Sequence, residues 1–543
     1  VPVLPVDYET LSRLIGRRIP RDELIARVPM MGGAYDGEKD GKLLFEFFPN
    51  RPDLLSVEGL ARACRAFFDV EPGLKPYPVT PSGDEVHVES SVTKVRPHIG
   101  FARVEGVHVD DALLVELIDV QERLTTGPGR RRKKVAIGIH DAAPVKGPYH
   151  YKAVKADEVH FVPLQMEAPL TPREILEQHE KGRLYRHLVD EKRIPLIVDR
   201  DGQVLSMPPV INGQLTALTT RTRDVLIDVT GTDERATLGL LAIVATSLAE
   251  RGGRIRSLEV LRGKTRTTTP NLEPARTSLA LSRVKELLGI TPTPDELQRY
   301  LGRMGHGVEA TTARSATVAS PAWRLDLLHA DDLVEDVGVG HGFDKFKPRL
   351  PAVAQFGGIH ATAQTRRRAR TLLLGLGFTE VMTLTVTSRG DALDAIGAAN
   401  TSTVEIANPV TLEHAILRPH LFTSLLGILR ANKHRELPQS VFEVSFVLPT
   451  AEGNPPPNEL RAAALRIAPR APFAECKGLV ESFLRDLGRA ATIEAGAVPG
   501  FIPGRCARLV EDGKAVGFFG EVHPETIGAF DLGAPILGFE VVL

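Results

Sequence analysis

Between Pro321 and Asp336 the chain crowds Asp326, Asp331, Asp332, Glu335 and Asp336 around Leu325, Leu327 and Leu328, with His329 in between. No other stretch limits the fold so sharply, because the leucines call for burial and the carboxylates resist it. A helix can begin at Asp331 or Asp332, since an acceptor and a negative charge both suit the unpaired N–H groups of a first turn. On that helix Asp332, Glu335 and Asp336 fall at i, i+3 and i+4 and share one face. Like charges so close repel, and a hard cation such as Mg²⁺, which takes oxygen ligands, relieves them. A solvated acidic turn that the helix dipole favours fits the same spacing.

The segment continues through Gly338-Val-Gly-His-Gly342 to Pro348-Arg-Leu-Pro351. As a whole it resembles a signature of the phenylalanyl-tRNA synthetase beta subunit in its archaeal and eukaryotic form. The resemblance implies that Asp326, Asp332, Glu335 and Asp336 bind a magnesium ion shared with an alpha subunit. Further segments are similar to the same family in order and spacing. They include Pro49-Asn-Arg-Pro-Asp53, Gly129-Arg-Arg-Arg-Lys-Lys134 leading to His140-Asp141, Leu205-Ser-Met-Pro-Pro209, Leu226-Ile-Asp-Val-Thr230 and Gly520-Glu-Val-His-Pro524.

Composition agrees without adding proof. At roughly 150 residues per domain, 543 residues make three to four domains. Net charge is −1, so any RNA affinity must be local. Cys64, Cys476 and Cys506 have neither zinc nor disulfide spacing, which points to a reducing cytoplasm. No apolar stretch is long enough to span a membrane, and the early acidic and basic residues argue against a signal peptide.

The expected class is α+β multidomain. Residues 1–85 carry helical patterns at Tyr8–Leu14, Asp22–Val28 and Ser56–Phe68, then a proline-rich linker from Pro72 to Gly83. Residues 86–265 mix short β-branched strands (Val135–Ile139, Ile194–Val198, Ile255–Leu261) with helices near 112–124 and 234–250, an α+β domain. Thr265 to Pro274 reads as a second linker. Residues 270–350 read as helices Thr277–Leu288 and Thr293–Met304, a strand Thr317–Ser320 and the acidic helix, a winged-helix-like order. Residues 355–543 hold a helix over Thr362–Leu376 and strands near Glu380–Thr387, Ser440–Phe446, Ala462–Ile467, Ala507–Glu511 and Leu537–Val542. There the resemblance implies a class II synthetase-like antiparallel core.

That core lacks catalytic motifs. Val441-Phe-Glu-Val-Ser445 has no arginine before its glutamate, and the C-terminal strands carry no G-x-G-x-x-R. The resemblance accordingly implies that the alpha subunit activates phenylalanine with ATP, while this chain supports it and edits. A pocket for phenylalanine rejects an added hydroxyl only about a hundredfold, so tyrosine must be removed at a second, hydrolytic site. The resemblance assigns this task to residues 86–265. Asp228 and Thr230 project to one side of a strand by its period of two, where a carboxylate and a hydroxyl can hold a water or an amine. Ser206 and Asn212 flank the rigid Pro208-Pro209 turn. Each of the four can equally serve local backbone bonding. His140 reads as a satisfied core histidine. No nucleophilic triad is apparent, so a positioned water is the expected attacking group.

The run Arg130, Arg131, Arg132, Lys133 and Lys134 is the sharpest candidate for RNA phosphate contact, or else a solvated loop. The resemblance implies a phenylalanine–tRNA ligase beta subunit, in a heterotetramer of two alpha and two beta chains that binds phenylalanine tRNA. The alternatives are a free-standing aminoacyl-tRNA deacylase and a non-catalytic nucleic-acid-binding scaffold.

Overall fold

A computed structural model describes residues 2–352 and 355–543, in two compact units that divide after Arg349. The chain is α+β throughout and contains several separate sheets.

In the first unit, Lys42–Phe47 pairs antiparallel with both Val3–Val6 and Gly33–Lys39. Helices Tyr8–Ile15 and Val57–Phe67 pack on this small sheet, the second capped by the Ser56 hydroxyl on the Gly59 N–H. Leu11, Leu60 and Cys64 share one apolar core with Ile227, Leu240 and Ile243. The N-terminal segment is therefore not packed as a core of its own.

A ten-stranded sheet forms the bulk of the unit. From Val79–Val88 it runs through Arg254–Arg262, His98–Glu105 and Val225–Gly231 to Val135–Asp141 at one edge; Tyr149–Val154, Ile194–Val198, Val204–Met207 and Ile211–Asn212 extend it on the other side. Helix Glu234–Glu250 lies against it with apolar residues on nearly every face. It is sandwiched between the sheet and helix Val57–Phe67, so Leu240, Leu241, Ile243 and Val244 are all buried. Both expected linkers contain strand. Val79–Val88 joins the sheet and crosses the expected boundary at 85, and Thr265–Thr269 pairs with Arg254–Arg262. Threonine looks polar in sequence, but its β-branch suits a strand. Buried Thr269 donates to the Phe101 carbonyl (2.8 Å) and accepts from the Phe101 N–H (3.0 Å).

The region around the acidic segment also differs from expectation. Thr277 does not open a helix; Ala275–Ala280 is a strand paired with Ser315–Ser320, and the helix is Leu281–Leu288. Leu279 is buried between exposed Ser278 and Ala280, the two-residue alternation of a strand. A further strand, Gly307–Thr311, completes a three-stranded sheet. Helix Pro294–Arg303 does start at Thr293, whose hydroxyl forms a capping box with Glu296.

The second unit is a seven-stranded, largely antiparallel sheet in the order Thr379–Glu380, Gln439–Val447, Glu459–Ile467, Ile536–Val542, Lys514–Val522, Phe501–Glu511 and Thr492–Ala495. Alternate residues serve opposite faces. Ala462 and Ala464 pack with helices Ala361–Gly375 and Phe473–Leu487, whereas Ala463 and Leu465 pack with helix Phe422–Ala431. The expected strand Glu380–Thr387 is broken: Thr379–Glu380 pairs with Gln439–Val447, and Val386–Thr387 pairs with Ile416–Leu417.

Candidate functional site

Strand Val225–Gly231 is buried along its whole length, paired on one side with His98–Glu105 and on the other with Val135–Asp141. This register sets Asp228 opposite Gly138, with His140 two residues further along the neighbouring strand. A Cβ at Gly138 would lie 2.1 Å from Asp228 Oδ2 and 2.6 Å from His140 Nε2. Only glycine there lets the carboxylate and imidazole meet. His140 Nε2 lies 2.7 Å from Asp228 Oδ2, its Nδ1 lies 2.7 Å from Thr216 Oγ1, and the Ser206 hydroxyl donates to the same Asp228 oxygen at 3.3 Å.

A cavity of about 210 Å³ opens onto this group. Ile118, Ile137, Pro208 and Val210 give it apolar walls; Ser206, Asn212, Asp228 and His179 are its polar edges. His179 Nδ1 accepts from the Lys181 N–H, so its Nε2–H is the group that meets the Leu164 carbonyl at 3.2 Å. Three of the four expected editing residues thus line one pocket. Thr230 does not. Its hydroxyl accepts from Arg96 Nε at 2.9 Å and its carbonyl from Arg96 Nη2 at 2.7 Å, tying it to a guanidinium that burial pushes down to about 10. His140, read from sequence as a core histidine, is the residue that orients the carboxylate. The signal was there in Gly138-Ile-His140 alternating beside Asp228-Val-Thr230, but the strand pairing that joins them is not a local feature.

The basic run divides. Arg130, Arg131 and Lys133 are exposed on a turn, and Arg130, Arg131 and Arg132 all hold left-handed φ values of 51°, 50° and 65°. Arg132 turns inward. It donates to the Val210 carbonyl at 2.8 Å, lies 4.4 Å over the Tyr185 ring and pairs with Glu122 at 3.3 Å, forming part of the pocket wall. Lys134 pairs with Asp233 at 3.3 Å. Of the five side chains of the run, Arg130, Arg131 and Lys133 are left exposed, while Arg132 and Lys134 are held in ion pairs.

The acidic segment does not gather its carboxylates. The helix runs Ala330–His341 and turns Asp336 inward, where Oδ2 meets Arg324 Nη2 and His306 Nε2 at 2.6 Å each. Burial alone would raise the Asp336 carboxyl, yet Arg324 and His306 hold it well below the usual carboxylate range. Arg324 also forks onto Asp326 (2.9 and 2.7 Å), and Arg51 forks onto Asp53 in the same way (2.9 and 2.8 Å). These two Arg-x-Asp hooks, from distant parts of the chain, lie side by side, with Arg51 Nε 4.0 Å from Asp326. Asp332 Oδ2 accepts the Leu328 and His329 N–H groups at 2.6 Å each, and Asp331 pairs with Arg283 at 2.8 Å. Of these carboxylates Glu335 is exposed and has no partner among the described residues. Among the described residues no three carboxylates, imidazoles or thiolates converge as a metal requires. A four-carboxylate magnesium site does not fit this chain taken by itself.

Comparison with known proteins gives this architecture a class. Residues 277–343 match the tRNA synthetase B5 domain, and residues 347–543 match the phenylalanyl tRNA synthetase beta chain CLM domain. The chain is thus built as part of an aminoacyl-tRNA synthetase. It is 38% identical over 548 residues to the phenylalanine–tRNA ligase beta subunit of Methanocaldococcus jannaschii, covering 100% of both chains. It is 40% identical to that of Archaeoglobus fulgidus, covering 100% of this chain and 98% of that one. An N-terminal fragment of the phenylalanyl-tRNA synthetase beta subunit from Pyrococcus horikoshii superimposes with a TM-score of 0.60 at 38% identity, covering 63% of this chain and 100% of the fragment. The chain belongs to the phenylalanine–tRNA ligase beta subunit family. Among the described residues, no helix is long and apolar enough to cross a membrane.

Proposed function

We propose that this chain acts beside an alpha subunit that activates phenylalanine with ATP, and that its Asp228 pocket hydrolyses tyrosine misattached to phenylalanine tRNA. One observation carries the reading. A carboxylate held by His140 and Ser206 lies over Gly138, at the edge of an apolar-walled pocket. The geometry favours water over a covalent nucleophile. The Ser206 hydroxyl is directed at Asp228, and His140 contacts Asp228 and Thr216 rather than Ser206, so the serine lacks the Ser–His pairing of an activated nucleophile. In the proposed step, water adds to the ester carbonyl carbon and the carbon–oxygen bond to the terminal ribose breaks. The ribose oxygen leaves as a hydroxyl with one of the water's protons and tyrosine leaves as its carboxylate; the second proton passes through Asp228 to solvent, or directly to solvent where Asp228 holds the substrate ammonium.

The second unit fits a supporting, class II-like role without adenylation. Buried Glu443 is taken up by Arg418 (2.9 Å) and the Thr383 hydroxyl (2.6 Å). Buried Glu540 is taken up by Arg461 (2.9 Å) and the N–H groups of Leu421 and Phe422 (2.8 and 3.0 Å). Neither glutamate is free for ATP. Magnesium shared with the alpha subunit is a proposal limited to Glu335 and the second oxygen of Asp332, with further donors from the partner. The two-alpha, two-beta assembly, a cytoplasmic location and a winged-helix-like nucleic-acid contact belong to the same proposal.

The test is to purify the chain alone and with its alpha subunit. Tyrosyl-tRNA hydrolysis is then assayed against phenylalanyl-tRNA synthesis. Synthesis only in the complex, with hydrolysis carried by this chain, supports the reading; hydrolysis with no alpha partner in native cells favours a free-standing deacylase.

A further inference from the structure

Beside the Asp228 pocket lies a second, larger cleft of about 900 Å³, and Gln165 lines both. Its other walls include Met166 and Leu215, with His160, Glu167, Gln203 and Gln214 at its polar edges. No lysine or arginine lines it. A site for a phosphate would need such cations, and the Glu167 carboxylate would repel one; a slot of apolar side chains edged by amides, an imidazole and a carboxylate instead suits a flat heterocycle without negative charge, with donors and acceptors on its rim.

The cleft is braced against the pocket. The Leu164 N–H donates to the Asn212 carbonyl (2.9 Å), and the Gln214 N–H donates to the Val162 carbonyl (2.8 Å). The Gln165 N–H donates to Gln214 Oε1 (2.8 Å), which fixes that amide with its Nε2 donors unclaimed. Gln165 itself sits at a φ of +69°, a left-handed conformation rare for glutamine, and its side chain is exposed at the junction. The Asp228 pocket is also lined by Arg132, which belongs to the same turn as exposed Arg130, Arg131 and Lys133.

From this arrangement we infer that the larger cleft is the subsite for the terminal nucleobase of the tRNA, the adenine at its 3′ end. The ester then lies at the junction and the phosphates pass toward the basic turn. This assignment rests on the hydrolytic reading above. It divides recognition: the small pocket takes the amino-acid side chain, while the amides and Leu215 take the base.

The test uses the full chain with its alpha subunit, tyrosyl-tRNA as substrate, and Gln203→Ala, Gln214→Ala and Leu215→Trp variants. Leu215→Trp fills the cleft without touching the Gln165–Gln214 bond. Each variant should raise KM for hydrolysis by about five- to tenfold, the worth of one hydrogen bond or one packed face, with kcat nearly unchanged. Adenosine 5′-monophosphate should compete with substrate in the unaltered protein and lose that effect in Leu215→Trp, while ribose 5-phosphate should not compete. Unchanged KM in all three variants, with hydrolysis intact in the parent protein, overturns the nucleobase subsite and leaves the hydrolytic reading standing. Absence of hydrolysis in the parent protein overturns both.

Discussion

His140 and Asp228 stand on neighbouring strands with Nε2 and Oδ2 2.7 Å apart, and the space for that contact exists only because residue 138 has no side chain. The carboxylate is therefore pre-set rather than free to rotate, as a group that positions water or an ammonium must be.

Gly138→Ala should uncouple this pair. The added methyl would lie 2.1 Å from Asp228 Oδ2, so the carboxylate must move while strand propensity is unharmed. Hydrolysis of tyrosyl-tRNA should fall by about a hundredfold, with circular dichroism unchanged. Full activity in this variant contradicts a pre-set Asp228.

Asp336 should matter for stability rather than for cation binding. Removing it in Asp336→Ala leaves Arg324 buried without one of its two carboxylate partners, a change that costs about 3–5 kcal/mol in buried pairs. Denaturant unfolding measures it. By contrast, Asp332→Ala with Glu335→Ala should weaken magnesium-dependent assembly with the alpha subunit. An unaltered magnesium titration in that double variant rejects the shared-ion proposal.

Glu116 gives the first unit a pH dependence. Burial and the neighbouring Glu58 carboxylate push its pKa from 4.5 up to about 7, against the pull of Arg251. Because the folded form holds this proton more tightly than the unfolded chain, the contribution of Glu116 to stability is fullest below about pH 4.5 and is lost as pH rises through about 7. Thermal midpoints should show this contribution, and Glu116→Gln should flatten it. An identical pH profile in the variant removes Glu116 as the cause.

The basic turn should act through salt. Arg130→Ala, Arg131→Ala and Lys133→Ala should each lower the slope of log binding constant against log salt by about one for tRNA, if each meets one phosphate. Arg132→Ala should instead loosen the pocket wall, since its bonds go to Val210, Glu122 and the Tyr185 ring. Equal salt slopes in all four variants contradict the split.

Much of this was legible in the chain. The helix Glu234–Glu250, capped by Asp233, and the strand Ile194–Val198 declare themselves by local pattern. Ser206, Asn212 and Asp228 were singled out and do share a pocket. What was hidden depends on partners far away in sequence. Thr265–Thr269 looks like a polar linker until Phe101 accepts it as a strand neighbour. Asp326 and Asp336 look like free carboxylates until Arg324 and His306 are brought beside them, and Thr230 looks like a pocket hydroxyl until Arg96 claims it. Charge spacing along a helix shows which groups could meet a cation, not whether an arginine already occupies the place.

The most direct measurement is single-turnover hydrolysis of tyrosyl-tRNA by the assembled enzyme carrying Asp228→Ala in this chain, with phenylalanine attachment assayed in parallel. The account predicts that hydrolysis is lost while attachment proceeds at the parent rate. Hydrolysis that persists, or a loss of attachment in step with it, contradicts a separate editing pocket built around Asp228.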